Sequence, residues 1–126
     1  MKKIIATEKA PKAIGPYSQA VEANGMLFIS GQLPVDPATG TIVEGGIAEQ
    51  TDMVLKNIGA ILEAAGYSYD DVIKSTVLLD NMDNFKAMNE VYGKYYQSEP
   101  PARAAYQVVK LPLGVMVEIE TIAAKR

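Results

Sequence analysis

The 126-residue chain contains no cysteine and no histidine. Without cysteine there is no disulfide framework, no thiolate metal site and no thiol nucleophile. Without histidine the chain cannot build a Ser-His-Asp or Cys-His catalytic centre, a histidine-ligated zinc site or a histidine general base. Any chemistry performed by this protein therefore uses carboxylates, hydroxyls, amides, cations, the backbone or water.

Positive charge and long apolar runs are also scarce. Twelve Lys and Arg residues against fifteen Asp and Glu give a net charge of −3, which disfavours a domain that must neutralise nucleic-acid phosphates. No segment approaches the ~20 apolar residues of a membrane span, and the N-terminus lacks the apolar core of a signal peptide. We therefore expect a cytoplasmic protein with no nucleic-acid and no membrane partner.

The residues that are present have the composition of an ordinary globular domain. They are 48% hydrophobic and 21% charged, which is typical of a folded chain, and we expect a single domain spanning residues 1–126. Apolar residues recur every three or four positions over 47–65 and again over 84–97, so two helices are predicted. Within the second helix, the tyrosines at 92, 95 and 96 follow the same spacing and are interpreted as core.

Six strands are predicted from β-branched and apolar segments bounded by glycine and proline, at residues 2–6, 17–23, 26–30, 71–79, 103–110 and 115–123. Asn24-Gly25 predicts a hairpin turn between the second and third strands. The order of strands and helices favours an α+β domain with both helices on one face of a mixed sheet. Nothing in the sequence covers the other face, so we expect it to pack against further copies in a homo-oligomer.

Charged side chains at two places are candidates for chemistry. Arg103 begins a strand, where its planar guanidinium could bind a carboxylate or phosphate, although a surface arginine is the alternative. Glu118 and Glu120 alternate along the last strand, which places both carboxylates on one sheet face ~7 Å apart. They are either a general acid/base with its partner or a solvated strand face. A short turn joins their strand to that of Arg103, so a salt bridge in the same sheet is a further alternative.

Polar groups at turns and on the second helix are the other candidates. Tyr17 follows Gly15-Pro16, a turn that would orient its hydroxyl, or it packs as an amphipathic tyrosine. Gly31, after Ser30 at a strand end, could offer its N–H to an anion or carbonyl, or it serves only the bend. Asn89 interrupts the apolar stripe of its helix, so its amide needs hydrogen-bond partners. It is either part of a functional site or a core amide whose hydrogen bonds are satisfied.

Four segments together resemble a known family: AIGPYSQA at 13–20, FISGQLPVDPATG at 28–40, EQT at 49–51 and PPARAAYQVVKLPLGVMVEIETIA at 100–123. They are similar to the RidA (YjgF-type) family of reactive intermediate deaminases, and the resemblance covers the whole chain. It implies a chorismate-mutase-like α+β fold, with a mixed six-stranded sheet and two helices on one face. It also implies a homotrimer with sites in the clefts between subunits.

The resemblance further implies hydrolysis of 2-iminopropanoate and 2-iminobutanoate to 2-oxo acids and ammonia, with no cofactor and no metal. Arg103 in the PAR motif would anchor the substrate carboxylate. Glu118, the first glutamate of VEIE, would position or deprotonate the water, and Tyr17 in GPYSQ would hold the substrate or relay a proton. The substrate-binding groups would be Ser30, Gly31, Asn89 and Ala105.

Two other functions stay open at this point. One is a binding or regulatory trimer that holds 2-oxo acids or amino-acid-like ligands without turnover. The other is an endoribonuclease, which the acidic charge and the absence of histidine disfavour. The family often has Ser-Cys after its arginine, whereas this chain has Ala104-Ala105.

Overall fold

The structure, a computed structural model, describes residues 1–125, and Arg126, the last residue of the predicted domain, lies outside the described residues. Its helices are α1 (Ile47–Ala64) and α2 (Phe85–Tyr95). Its strands are β1 (Lys3–Ile5), β2 (Ala20–Ala23), β3 (Met26–Gln32), β4 (Val35–Asp36), β5 (Thr41–Ile42), β6 (Val72–Leu79), β7 (Ala102–Gln107) and β8 (Val117–Ala124).

Six of these strands form one mixed sheet in the order β1-β2-β3-β8-β6-β7. β6 and β7 run parallel because the α2 crossover connects them, and the other neighbours are antiparallel. The predicted α+β class, the six strands and the two helices are confirmed. β4 and β5 form a separate short hairpin within the Gly- and Pro-rich segment 31–46, where two-residue strands are too short to show an alternating pattern.

The hydrophobic core lies between the helices and one face of the sheet. On α1 the apolar stripe that the sequence predicts is buried, and Val54, Leu55, Ile58 and Ile61 have no exposed surface. They pack against strand residues such as Leu27 and Ile119, and each fully buried aliphatic side chain stabilises the fold by about 1.5–3 kcal/mol. Neither helix within residues 1–125 is long and apolar enough to cross a membrane.

The opposite face of the sheet is left uncovered by the described chain. Strand register places Ile4, Phe28 and Tyr106 on it, each about half exposed. Glu118 and Glu120 share this face, because they alternate with Val117, Ile119 and Thr121, which are buried against the helices. We call it the open face.

Two predicted strands extend three residues beyond the observed strand at one end, and the other strand boundaries differ by at most two residues. β2 begins at Ala20 and not at Tyr17, because residues 15–17 form a tight turn in which the Tyr17 N–H donates to the Gly15 carbonyl (2.9 Å). β7 ends at Gln107, and the predicted continuation to Lys110 is irregular. The predicted hairpin at Asn24-Gly25 is confirmed, with φ values of 52° and 73° at its two central residues.

Candidate active site

A cleft of about 1150 Å³ opens beside β3 and β8. Four predicted site residues line it: Tyr17, Ser30, Gly31 and Glu118. Most of the remaining wall comes from three segments outside the main sheet, which are residues 8–14, residues 33–40 and the turn at 112–113. The structure therefore brings together, in one cavity, predicted residues that are up to 101 positions apart in the sequence.

A β-bulge fixes the relation between Gly31 and Glu118. The register of β3 against β8 shifts between Ile29 and Gln32, and bulges of this kind redirect side chains beside functional sites. A Cβ atom on Gly31 would lie 2.9 Å from Cδ of Glu118 and closer still to its Oε2. The glutamate carboxylate thus occupies the space that any larger residue at position 31 would need.

The surroundings of Glu118 favour its protonated form. Partial burial raises the pKa of Glu118 above its usual range, and the negative charge of Glu120 raises that pKa further. The ion pairs found within residues 1–125 join Lys56 to Asp52 and Lys125 to Glu22, so neither neutralises Glu118. A carboxyl whose pKa is raised toward neutrality is a suitable proton acceptor and donor.

Ser30 ties the segment that carries Tyr17 to β3. Its hydroxyl donates to the Ser18 carbonyl (2.7 Å), and its N–H donates to the Gln19 carbonyl (2.9 Å). The side chain of Tyr17 is itself about half exposed and reaches the cleft. The Ser30 hydroxyl proton is thus used by the backbone, which leaves the oxygen free to accept a hydrogen bond.

Arg103 does not line this cleft. Its Nη1 donates to Oδ1 of Asn89 (2.7 Å). Its guanidinium carbon lies 4.9 Å from the ring centroid of Tyr92 and 5.4 Å from that of Phe85. Because Phe85, Asn89 and Tyr92 follow one another at intervals of four and three residues, α2 presents all three on one face. The cation–π contacts and the hydrogen bond orient the Arg103 side chain, which is nevertheless exposed.

Arg103 and Glu118 face opposite sides of the sheet within one chain. Arg103 is paired with Ser75, a residue buried beneath the helices, whereas Glu118 belongs to the open face. β6 separates their strands, so the suggested salt bridge between them within one sheet is wrong. Ala105 lies on the same face of β7 as Arg103, and its side chain packs against the core. Only the backbone of Ala105 is therefore left for binding.

Three buried side-chain amides, absent from the predicted site, hold the cleft wall. Gln19 bonds to the backbone of residues 7–11. Asn57 donates to the carbonyls of Leu33 (3.1 Å) and Val35 (2.9 Å). Gln50 accepts from the Met116 N–H (2.8 Å) beside the turn at 112–113. The sequence could have identified Gln50 and Asn57 as structural amides, because both fall on the apolar stripe of α1, where a polar residue needs hydrogen-bond partners.

The fold and the cleft together define a class of small α+β proteins: one mixed six-stranded sheet, two helices on one of its faces, and a cleft beside β3 and β8. The family model described as Endoribonuclease L-PSP matches residues 7–125, so the chain belongs to that family. This match, with the relatives below, confirms the resemblance seen in the sequence.

Among relatives, the chain is 59% identical over 125 residues to a RutC family protein of Pyrococcus horikoshii, covering 99% of both. It is 55% identical over 125 residues to a protein of Bos taurus named 2-iminobutanoate/2-iminopropanoate deaminase, covering 99% of this chain and 91% of that one. A crystal structure from Thermotoga maritima matches with a TM-score of 0.98 at 53% identity, covering 100% and 99% of the two chains.

Proposed function

We propose that this protein is a hydrolytic deaminase of reactive 2-imino acids, which converts 2-iminopropanoate and 2-iminobutanoate to 2-oxo acids and ammonia. The observation that carries the proposal is the half-buried Glu118 carboxyl, set against Gly31 in the cleft. The 55% identical Bos taurus protein bears the name of this activity. Glu8, Glu118, Glu120 and one cation, Lys12, line the same cleft. This acidic lining disfavours a polyanionic RNA backbone more than a small substrate with a single carboxylate.

The side chains present can divide the reaction between them. The free N–H groups of Arg103 bind the substrate carboxylate through charge-assisted hydrogen bonds. Glu118 takes a proton from water as the water oxygen bonds to the imine carbon, giving a tetrahedral carbinolamine. Glu118 passes this proton to the nitrogen, and Tyr17 holds the substrate or relays a proton. The carbinolamine hydroxyl then loses its own proton, which reaches the nitrogen through Glu118 or Tyr17. As the C=O bond forms, the C–N bond breaks, releasing ammonia and leaving the 2-oxo acid.

A homotrimer with sites between subunits is part of the proposal. Strand spacing and register separate the Cα atoms of Arg103 and Glu118 by roughly 14 Å in one chain, and their side chains leave opposite faces. One three- or four-carbon substrate cannot contact both within a single protomer. The exposed apolar side chains of the open face (Ile4, Phe28 and Tyr106) support burial against further copies. We infer that Arg103 of one protomer faces the Glu118 cleft of the next.

The activity is tested with imines made in situ by a serine/threonine dehydratase, while semicarbazide competes for them. We expect the wild-type protein to divert the imine to 2-oxo acid and the Arg103→Ala variant to fail. A Lys110→Ala variant, which removes an exposed cation outside the site, serves as the control. Failure of the wild type to compete with semicarbazide would contradict the proposed activity and favour ligand binding without turnover.

The subunit arrangement is tested by complementation. Arg103→Ala and Glu118→Ala chains are each expected to keep only a small residual activity alone, and they are co-expressed so that mixed oligomers form. If each site takes its arginine and its glutamate from different protomers, about a quarter of the sites in randomly mixed oligomers regain both residues. Activity that stays at the level of the single variants would place both residues of a site in one chain.

A further inference from the structure

The segment from Thr7 to Pro16 forms one wall of the cleft without any regular secondary structure. It connects β1 to β2, and we call it the N-terminal arm. The arm residues that line the cleft are Glu8, Ala10, Pro11, Lys12 and Ile14. An irregular segment of this kind opens readily unless it is tied to the rest of the chain.

Ala10 of the arm is buried in the core, and one side chain supplies the hydrogen bonds that tie the arm down. Gln19 is 4% exposed, and its Oε1 accepts from the Thr7 N–H (2.7 Å). Its Nε2 donates to the carbonyls of Pro11 (2.7 Å), Thr7 (3.0 Å) and Ala10 (3.3 Å). Apart from the local turn between Gly15 and Tyr17, no other hydrogen bond within residues 1–125 joins the arm to the remaining chain.

We propose that Gln19 is a positioning residue that latches the N-terminal arm against the cleft and so sets the affinity for substrate. Only a primary amide fits this place, because it must accept from one N–H and donate to several carbonyls at once. Glutamate in its position would turn a buried carboxylate toward those carbonyls and release the arm. The effect on catalysis rests on the proposed deaminase function, whereas the effect on the arm does not.

Limited trypsin digestion measures how often the arm opens, because Lys9 and Lys12 lie within it and are exposed. We expect Gln19→Glu to be cut after these lysines about tenfold faster than the wild type or more, since cleavage follows the population of the open arm. Gln19→Met, which keeps the volume and loses the hydrogen bonds, behaves likewise. Gln97→Glu, the same charge change at an exposed glutamine two residues beyond the end of α2, is cut like the wild type.

Steady-state kinetics on the same variants test the link to the site. We expect the KM for the imine to rise about tenfold in both Gln19 variants, with a smaller change in kcat, because the arm shapes the binding wall and leaves Glu118 in place. Wild-type protein without turnover would refute the proposed function and leave the trypsin result as the test of the latch. Faster cleavage with an unchanged KM would refute the role in binding.

A measurement on the wild type keeps the proposal testable if the variants fold poorly. The Thr7 amide donates to Gln19, whereas the Lys12 and Ile14 amides have no hydrogen-bond acceptor within residues 1–125. Hydrogen exchange should therefore be slow at Thr7 and fast at the other two. Equally fast exchange at all three amides, or variants cut no faster than the wild type, would overturn the latch.

Discussion

Replacement of Gly31 by alanine should displace the Glu118 carboxylate while leaving the stability of the fold nearly unchanged. Gly31 is not among the residues with positive φ, so its backbone conformation accepts alanine. The added methyl would lie 2.9 Å from Cδ of Glu118, whereas carbon atoms at rest are about 3.5–4.0 Å apart. The Glu118 side chain must therefore retreat, and because it is flexible it can do so at little cost in folding free energy.

The expected result is a large loss of activity in a stable protein. To restore contact distance the carboxyl must move by roughly 1 Å, and misplacement of a reacting group by that amount costs about 10²-fold in rate. We therefore expect kcat/KM for the imine to fall about 10²-fold. The free energy of unfolding should stay within about 1 kcal/mol of wild type, because Gly→Ala at a compatible position also restricts the unfolded chain.

The assay is the semicarbazide competition, run beside thermal unfolding. Gly93→Ala is the matched control, since a Cβ at Gly93 in α2 would meet no atom within 4 Å. The activity of this variant should equal that of the wild type. The decisive comparison repeats Gly31→Ala in a Glu118→Ala background. If the methyl acts only by displacing the carboxylate, its effect there should disappear. An equal loss in both backgrounds would refute the reasoning.

Four further predictions concern the charged groups and Asn89. Arg103→Lys keeps the charge but loses the planar guanidinium, so we expect kcat/KM for the imine to fall about 10-fold or more. Asn89→Ala removes only the hydrogen-bond partner of Arg103, so we expect it to raise KM by a smaller factor. Because the pKa of Glu118 is raised by burial and by Glu120, the acid limb of kcat/KM should lie above pH 4.5 and move to lower pH in Glu120→Gln; an unmoved limb would contradict this. Because the pKa of Glu118 is raised in the native state, ionisation of this carboxyl destabilises the fold as pH rises above its ordinary pKa of 4.5. Glu118→Gln should therefore gain in Tm relative to wild type between pH 4.5 and 7, and thermal unfolding at several pH values checks the sign.

Local patterns predicted the elements of the fold well. The stripe of α1, the Asn24-Gly25 turn and the alternation along β8 each depend on a few neighbouring residues, and each is found where the periodicity placed it. The end of α2 is less well predicted, since the helix ends at Tyr95 and the apolar spacing continues to Tyr96. Tyr96 lies beyond the end of the helix and is nevertheless buried. A buried apolar residue at helical spacing therefore does not show that the helix continues to it.

The relation of Arg103 to Glu118 could not be predicted in the same way. The short turn between their strands suggests that the strands are neighbours, and in an antiparallel pair a salt bridge would follow. The order of the sheet is decided instead by the parallel crossover through α2, which inserts β6 between β7 and β8. Strand order depends on contacts between distant segments, and sequence periodicity carries no information about them.

The cleft wall depends on the core more than on its own residues. Residues 7–16, 33–40 and 112–114 have little or no regular structure of their own, yet each is held close to a buried amide, from Gln19, Asn57 or Gln50 respectively. A buried amide without partners would destabilise the protein by about 1–3 kcal/mol, so these glutamines and asparagine are stable in the core only while the wall is closed. Folding of the core and shaping of the cleft are therefore one process. Loop residues that only face solvent should tolerate substitution, whereas an isosteric apolar residue at any of the three amides should loosen the cleft.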